Sequence, residues 1–159
     1  MSHNSTVSGT SIYSKELIES AISALQAQGL NIELLANTKP RMYYNHQHPA
    51  PADLCIRVKD SKYDIALDWN SETEEYDIVF DDWAKEVAKV MGVTLPSGKW
   101  SNSEKTMASV AKFIREYNIA LVKQEAKEKG FEYYSDTAEN GETTFTLNTN
   151  DQVATANVG

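Results

Sequence analysis

Three runs of alternating apolar and polar residues in the middle of the chain constrain its fold more than any other feature. Leu54, Ile56 and Val58 alternate with Cys55 and Arg57; Tyr63, Ile65, Leu67 and Trp69 alternate with Asp64, Ala66 and Asp68; Tyr76, Ile78 and Phe80 alternate with Asp77, Val79 and Asp81. A period of two sends every second side chain to one face, so each run reads as a strand with one apolar face. With Asp60-Ser61 as a two-residue loop, Val58 stands opposite Tyr63, Ile56 opposite Ile65 and Leu54 opposite Leu67. A slip of one residue would set apolar faces against polar ones, so the pattern selects its own register. Carried across the second turn, the same count sets Asp68 opposite Asp77, Ala66 beside Val79 and Asp64 opposite Asp81, with Arg57 on the far side of Asp64.

The flanking segments supply helices. Leu17, Ile18, Ala21, Ile22 and Leu25 recur at helical spacing, with Ser14 placed to cap the start and Gly29 to take the left-handed position after the end. A strand over Thr6–Ile12 precedes this helix and another over Asn31–Leu35 follows it. Pro40, Pro49 and Pro51 mark residues 38–52 as a loop or an irregular edge strand. After the third run, Asp81 or Asp82 can cap a short helix with Trp83, Val87, Val90 and Met91 on one stripe, stopped by Gly92. A connector from Val93 to Asn102 leads to a long helix from Ser103 to Gly130, its stripe formed by Met107, Val110, Ala111, Ile114, Tyr117, Leu121 and Val122. Residues 131–136 and 142–148 read as a closing hairpin around Asn140-Gly141. The order is β-α-β, a three-stranded meander, α-α and β-β: an α+β class with an antiparallel sheet and helices on its apolar face. Residues 1–148 form a single domain and residues 149–159 are expected to be a mobile tail.

Charge is distributed unevenly. Between Asp60 and Asp82 lie nine acidic residues against Lys62 alone, so this segment carries the whole net charge of −8 and the remainder is neutral. No basic stripe is present to displace counterions from phosphates, which disfavours direct nucleic-acid binding. No apolar run reaches the roughly 18 residues of a spanning helix, and the polar start lacks a signal-peptide core. A lone cysteine, Cys55, excludes an intrachain disulfide. The expectation is therefore a protein of the cytoplasm or an equivalent intracellular compartment, such as a plastid stroma or an infected host cell, without membrane association.

Candidate sites follow from that charge. Asp64, Asp68, Asp77 and Asp81 share the polar face of the meander, where opposed like charges cost stability. Screening by water and salt is one account of such a face; docking of a lysine- or arginine-rich partner is another. The loop Tyr43-Tyr44-Asn45-His46-Gln47-His48-Pro49 offers two tyrosines as contact area, and His46 and His48 as weak zinc candidates without fixed i,i+4 geometry. Cys55 lacks a recognisable His partner, and no phosphate loop, Gly-x-Ser-x-Gly or Cys-x-x-Cys motif is present.

Several of these stretches together resemble a family. Met1-Ser2-His3 before an early strand, Ala52-Asp53-Leu54 followed by Ile56, Tyr63-Asp64-Ile65 with Asn70 and Tyr76, Phe80-Asp81-Asp82-Trp83, and Gly130-Phe131 before a hairpin are similar to the hypothetical chloroplast reading-frame proteins of cyanobacterial and algal plastid genomes. The resemblance implies a compact α+β protein linked to oxygenic phototrophs or to viruses that infect them, with no assigned activity and no catalytic set to transfer. The chain departs from the family pattern at Ala66, Leu67, Asp68 and Trp69, where glycine and basic residues are usual. It also departs at the insertion-like stretch 94–103 and at its polar end, Asn148-Thr149-Asn150-Asp151.

The reading is a non-catalytic interaction or adaptor protein that binds a basic partner through Asp64, Asp68, Asp77 and Asp81 with Tyr43 and Tyr44 nearby, and that needs no cofactor. A small metal-dependent enzyme centred on His46 and His48 is one alternative. An acidic nucleic-acid mimic that blocks a nucleic-acid-binding protein is the other.

Overall fold

A computed structural model describes residues 4–44, 47–81, 86–92, 102–130, 132–137, 143–148 and 153–158. The chain runs β1 (Asn4–Val7), α1 (Lys15–Ala27), β2 (Ile32–Thr38), β3 (Ala52–Val58), β4 (Ile65–Asn70), β5 (Glu75–Asp81), α2 (Glu86–Val90), α3 (Asn102–Glu128), β6 (Glu132–Thr137), β7 (Thr143–Asn148) and β8 (Val153–Val158). Five strands form an antiparallel sheet in the order β1-β5-β4-β3-β2, and β6-β7-β8 form a second antiparallel sheet. This is the expected α+β class with its central meander.

The meander adopts the register that the alternation selects. Leu54 pairs with Leu67 and Ile56 with Ile65, and across the next interface Ala66 pairs with Val79 and Asp68 with Asp77. Leu54, Ile56, Val58, Ile65, Leu67, Ile78 and Phe80 form one buried surface under the helices, joined by Ile18 and Leu25 of α1 and by Val110, Phe113 and Tyr117 of α3. On α3 the buried positions among the described side chains are 109, 110, 113, 116, 117 and 126, so Phe113 takes the place expected for Ala111, which is exposed. The helix is turned slightly from the orientation that its leucines and valines suggest.

Helix α1 is set by its ends. The Ser14 hydroxyl accepts from the Leu17 amide at 3.3 Å, a cap that contributes about 1 kcal/mol. At the other end Leu30 N–H donates to Leu25 O and Gly29 N–H to Gln26 O, the paired bonds of a Schellman motif, with Gly29 at φ +97°. The Tyr117 hydroxyl, fully buried on α3, accepts from the amides of both Tyr13 and Ser14 at 3.0 Å. The long helix thereby fixes where the first one begins.

Three elements differ from expectation. Strand β1 ends at Val7 because Gly9 (φ +70°) and Ser11 (φ +60°) turn the chain; beyond them only Ile12 O rejoins the sheet, accepting from Tyr76 N–H at 2.7 Å. The link between β3 and β4 is residues 59–64 rather than a two-residue loop, because Asp64 is drawn out of the ladder by partners described below. Residues 153–158, expected to be mobile, form β8 against β7: Val153, Thr155 and Val158 give the segment β-forming character despite its lack of a helical repeat. Asp81 ends β5; Trp83, Trp100, Asn140-Gly141 and His46 lie outside the described residues.

Candidate functional site

The face of the sheet turned away from the helices has three rows. At one end stand Arg57, Asp64 and Asp81; the middle row is Leu35, Cys55, Ala66 and Val79; at the other end are Asp53, Asp68 and Asp77. Cys55 and Ala66 are fully buried, so this face is covered. The cover is the proline-bearing segment between β2 and β3, which lies across the sheet as a strap with Pro40 and Met42 buried beneath it.

Acidic side chains hold the strap down. Asp64, with no exposed surface, accepts from the Arg41 amide (2.8 Å), Arg41 Nε (3.0 Å), Arg41 Nη2 (2.8 Å) and the Val58 amide (3.1 Å). Arg41 Nη2 also donates to Val58 O at 2.9 Å, and the Asp64 amide returns a bond to Arg41 O at 3.0 Å. Arg57 Nε stands 3.1 Å from Asp64 Oδ2 but makes no hydrogen bond, so its contribution is charge without good direction. The bidentate contact with Asp64 raises the pKa of the Arg41 guanidinium. Asp81, also fully buried, accepts from the Tyr43 amide at 3.0 Å.

At the far end of the strap His48 Nδ1 lies 2.7 Å from Ala50 O and Nε2 lies 2.8 Å from Asp68 Oδ2. Both ring nitrogens are thus engaged with protein oxygens. Neither nitrogen is left for a metal in this arrangement. Among the described residues no three His, Cys, Asp or Glu side chains stand together as a metal site needs. Burial, and next the Asp64 charge, push the Cys55 thiol up to about 12, which keeps it protonated and unreactive at neutral pH.

The four aspartates expected on one solvated surface are therefore divided. Asp64 and Asp81 are interior anchors, a correction whose cause is the strap: two arginines and three backbone amides offset the cost of burying them. Asp68 and Asp77 remain partly accessible and directly opposed across β4 and β5, with Asp68 35% exposed. Asp77 Oδ2 accepts from Asn70 Nδ2 at 3.2 Å, whereas its buried Oδ1 has no hydrogen-bond partner. Beside them Asp53 accepts from the Trp69 amide at 2.8 Å. Trp69 is 43% exposed and packs edge-on against Tyr76 with ring centres 5.0 Å apart. Tyr43 and Tyr44, each 49% exposed, form an edge-on pair at 4.7 Å on the strap.

The family model described as a protein of unknown function, DUF1257, matches residues 24–146. The chain belongs to that family. No curated protein and no solved structure matches it. The DUF1257 match spans the strap, the whole meander and α3, so the Arg41–Asp64 anchor and the Asp68–Asp77 pair both lie within the family region. Among the described residues no helix is long and apolar enough to cross a membrane.

Sequence reasoning missed Arg41 and the exposure of Trp69, and it offered His48 as a metal candidate rather than as a partner of Asp68. Their signal was indirect: Leu54-Cys55-Ile56 and Ile65-Ala66-Leu67 are unbroken apolar runs, the mark of strands buried on both faces. Something had to cover the second face, and the prolines of residues 38–52 identify the segment long enough to do so.

Proposed function

We propose that this protein is a non-catalytic binding module that accepts a lysine- or arginine-bearing segment of a partner protein at the open end of the strapped face, on Asp53, Asp68 and Asp77. One observation carries the reading. Two carboxylates oppose each other across neighbouring strands, and one of their oxygens, Asp77 Oδ1, is buried without a hydrogen bond. Asp64 shows what neutralisation by this chain's own residues looks like: two arginines and two amides. Among the described residues the Asp68–Asp77 pair has one histidine and one asparagine amide. A cation supplied from outside would relieve the repulsion. Tyr43 and Tyr44 extend the contact area along the strap.

The reading places the protein in an intracellular compartment, cytoplasm or plastid stroma, of an oxygenic phototroph or of a cell infected by a phototroph's virus. It assigns no cofactor and no direct contact with nucleic acid. The test uses a fluorescently labelled peptide of alternating Lys, Arg and Ser residues. Anisotropy titration should show binding that weakens with salt, and the double variant Asp68→Asn/Asp77→Asn should lose at least tenfold in affinity while melting at the same or a higher temperature. Asn at 68 keeps an acceptor for His48, so the strap remains anchored. Equal affinity of the double variant and the parent would remove the site.

A further inference from the structure

On the opposite side of the sheet, helices α1 and α3 do not close completely along their seam. Small side chains at Ser20, Ala24 and Ala120 leave a cleft in two adjoining parts, about 460 Å³ and about 190 Å³, which share Ser20, Ala120 and Lys123. The wider part alone lies in the range that holds a small ligand. The wider part is bordered by Glu16, Lys123 and Lys127, and the narrower part by Glu116.

Glu116 is the informative member. It is 7% exposed, and the hydrogen bonds it receives, from Gln28 Nε2 at 2.9 Å and Arg115 Nη1 at 3.4 Å, both fall on Oε1. Among the described residues Oε2 has no donor, and it is not a buried atom, so it stays open to solvent and can accept from a ligand in the cleft. The lining charges cancel, two carboxylates against two ammonium groups, which disfavours a phosphate or a polycation and suits a ligand carrying one charge of each sign. Seven helical residues separate Glu116 from Lys123, about 10 Å along the axis. The lysine side chain can reach back over part of that span, above the apolar floor of Leu17 and Ala120.

We propose that the α1–α3 cleft binds a small zwitterion of the ω-amino-acid type, its ammonium donating to Glu116 Oε2 and its carboxylate accepting from Lys123 or Lys127, with an alkyl spacer between them. The site is independent of the acidic face, from which the sheet separates it.

Isothermal titration of the full chain with 6-aminohexanoate, hexanoate and hexylamine tests the assignment. The zwitterion should bind at one site at least tenfold more tightly than either single-charge analogue. The double variant Lys123→Ala/Lys127→Ala, which removes two exposed side chains and leaves the fold intact by circular dichroism, should weaken it at least tenfold, and Ala120→Phe, which fills the cleft, should abolish it. Glu116→Gln is the less informative variant because Gln28 depends on that carboxylate. Absence of binding by all three compounds, equal binding of the three, or undiminished binding to Ala120→Phe would each overturn the proposal.

Discussion

Replacing Arg41 with alanine tests whether the strap is held by its buried ion pair. The substitution deletes three donations: Nε to Asp64 Oδ2 at 3.0 Å, Nη2 to Asp64 Oδ1 at 2.8 Å and Nη2 to Val58 O at 2.9 Å. Breaking a buried pair by removing one member costs about 3–5 kcal/mol, because the remaining charge stays desolvated. Two features lower that figure here. Arg57 Nε remains 3.1 Å from Asp64 Oδ2, and the Arg41 side chain is 39% exposed, so water already screens part of the attraction. The expected loss is about 2–3 kcal/mol, against about 1 kcal/mol for Arg57→Ala, whose contact lacks hydrogen-bond direction. Urea unfolding followed by far-ultraviolet circular dichroism measures both, with an unchanged m-value showing that the difference belongs to the folded state. Chymotrypsin gives a second reading: a loosened strap should be cut after Tyr43 or Tyr44 faster in Arg41→Ala than in the parent. An Arg41→Ala loss below about 0.5 kcal/mol, the size of an ordinary surface change, would refute the argument, as would a larger loss for Arg57→Ala.

Other consequences are equally direct. Cys55, with its thiol pushed up to about 12 and no exposed surface, should resist iodoacetamide at pH 8 in the folded protein and react fully in urea; labelling of the native chain at the rate of a free thiol would contradict its burial. Tyr117→Phe leaves the amides of Tyr13 and Ser14 without their acceptor and should cost about 1–3 kcal/mol, seen as faster hydrogen exchange at the start of α1. Burial raises the Tyr117 and Tyr76 phenols above the ordinary tyrosine value, so folded protein holds protons there that the unfolded chain releases. Stability should therefore fall as pH rises above about 10, and phenolate absorbance should show these two rings ionising above the ordinary tyrosine value. Gly29→Ala meets no atom within 4 Å, so its cost is the left-handed backbone alone, about 1 kcal/mol by thermal unfolding.

How far the sequence discloses this fold depends on the range of the interaction that decides each element. Alternation is local, and it was sufficient for β3, β4 and β5 and for the Leu54–Leu67, Ile56–Ile65 and Asp68–Asp77 registers. Caps are local too: Ser14 and Gly29 mark the ends of α1 because the groups they satisfy lie within a few residues. The strap is decided at long range. Its bonds join Arg41 to Asp64, Tyr43 to Asp81 and His48 to Asp68, pairs separated by 23, 38 and 20 residues, and no periodicity within residues 38–52 announces them.

The same difference explains why the acidic face divides. Counting along strands tells which side of the sheet an aspartate leaves from, but not what lies over that side. Asp64 and Asp68 leave in the same direction, four residues apart; one is sealed between two arginines and the other retains a third of its surface. Their chemistry diverges because Arg41 is on the strap above Asp64, whereas among the described residues the strap offers Asp68 an imidazole, so charge that looks continuous in the sequence is buried and paired at one end and partly exposed at the other. Moving the arginine should move the availability: in an Arg41→His/His48→Arg exchange, Asp64 should gain exposure and lose stability while Asp68 becomes the sealed carboxylate, and the basic peptide's affinity should fall although every acidic residue is retained. Unchanged affinity in that variant, with its fold intact by circular dichroism, would mean that the strap's cations do not determine which aspartates a partner can reach.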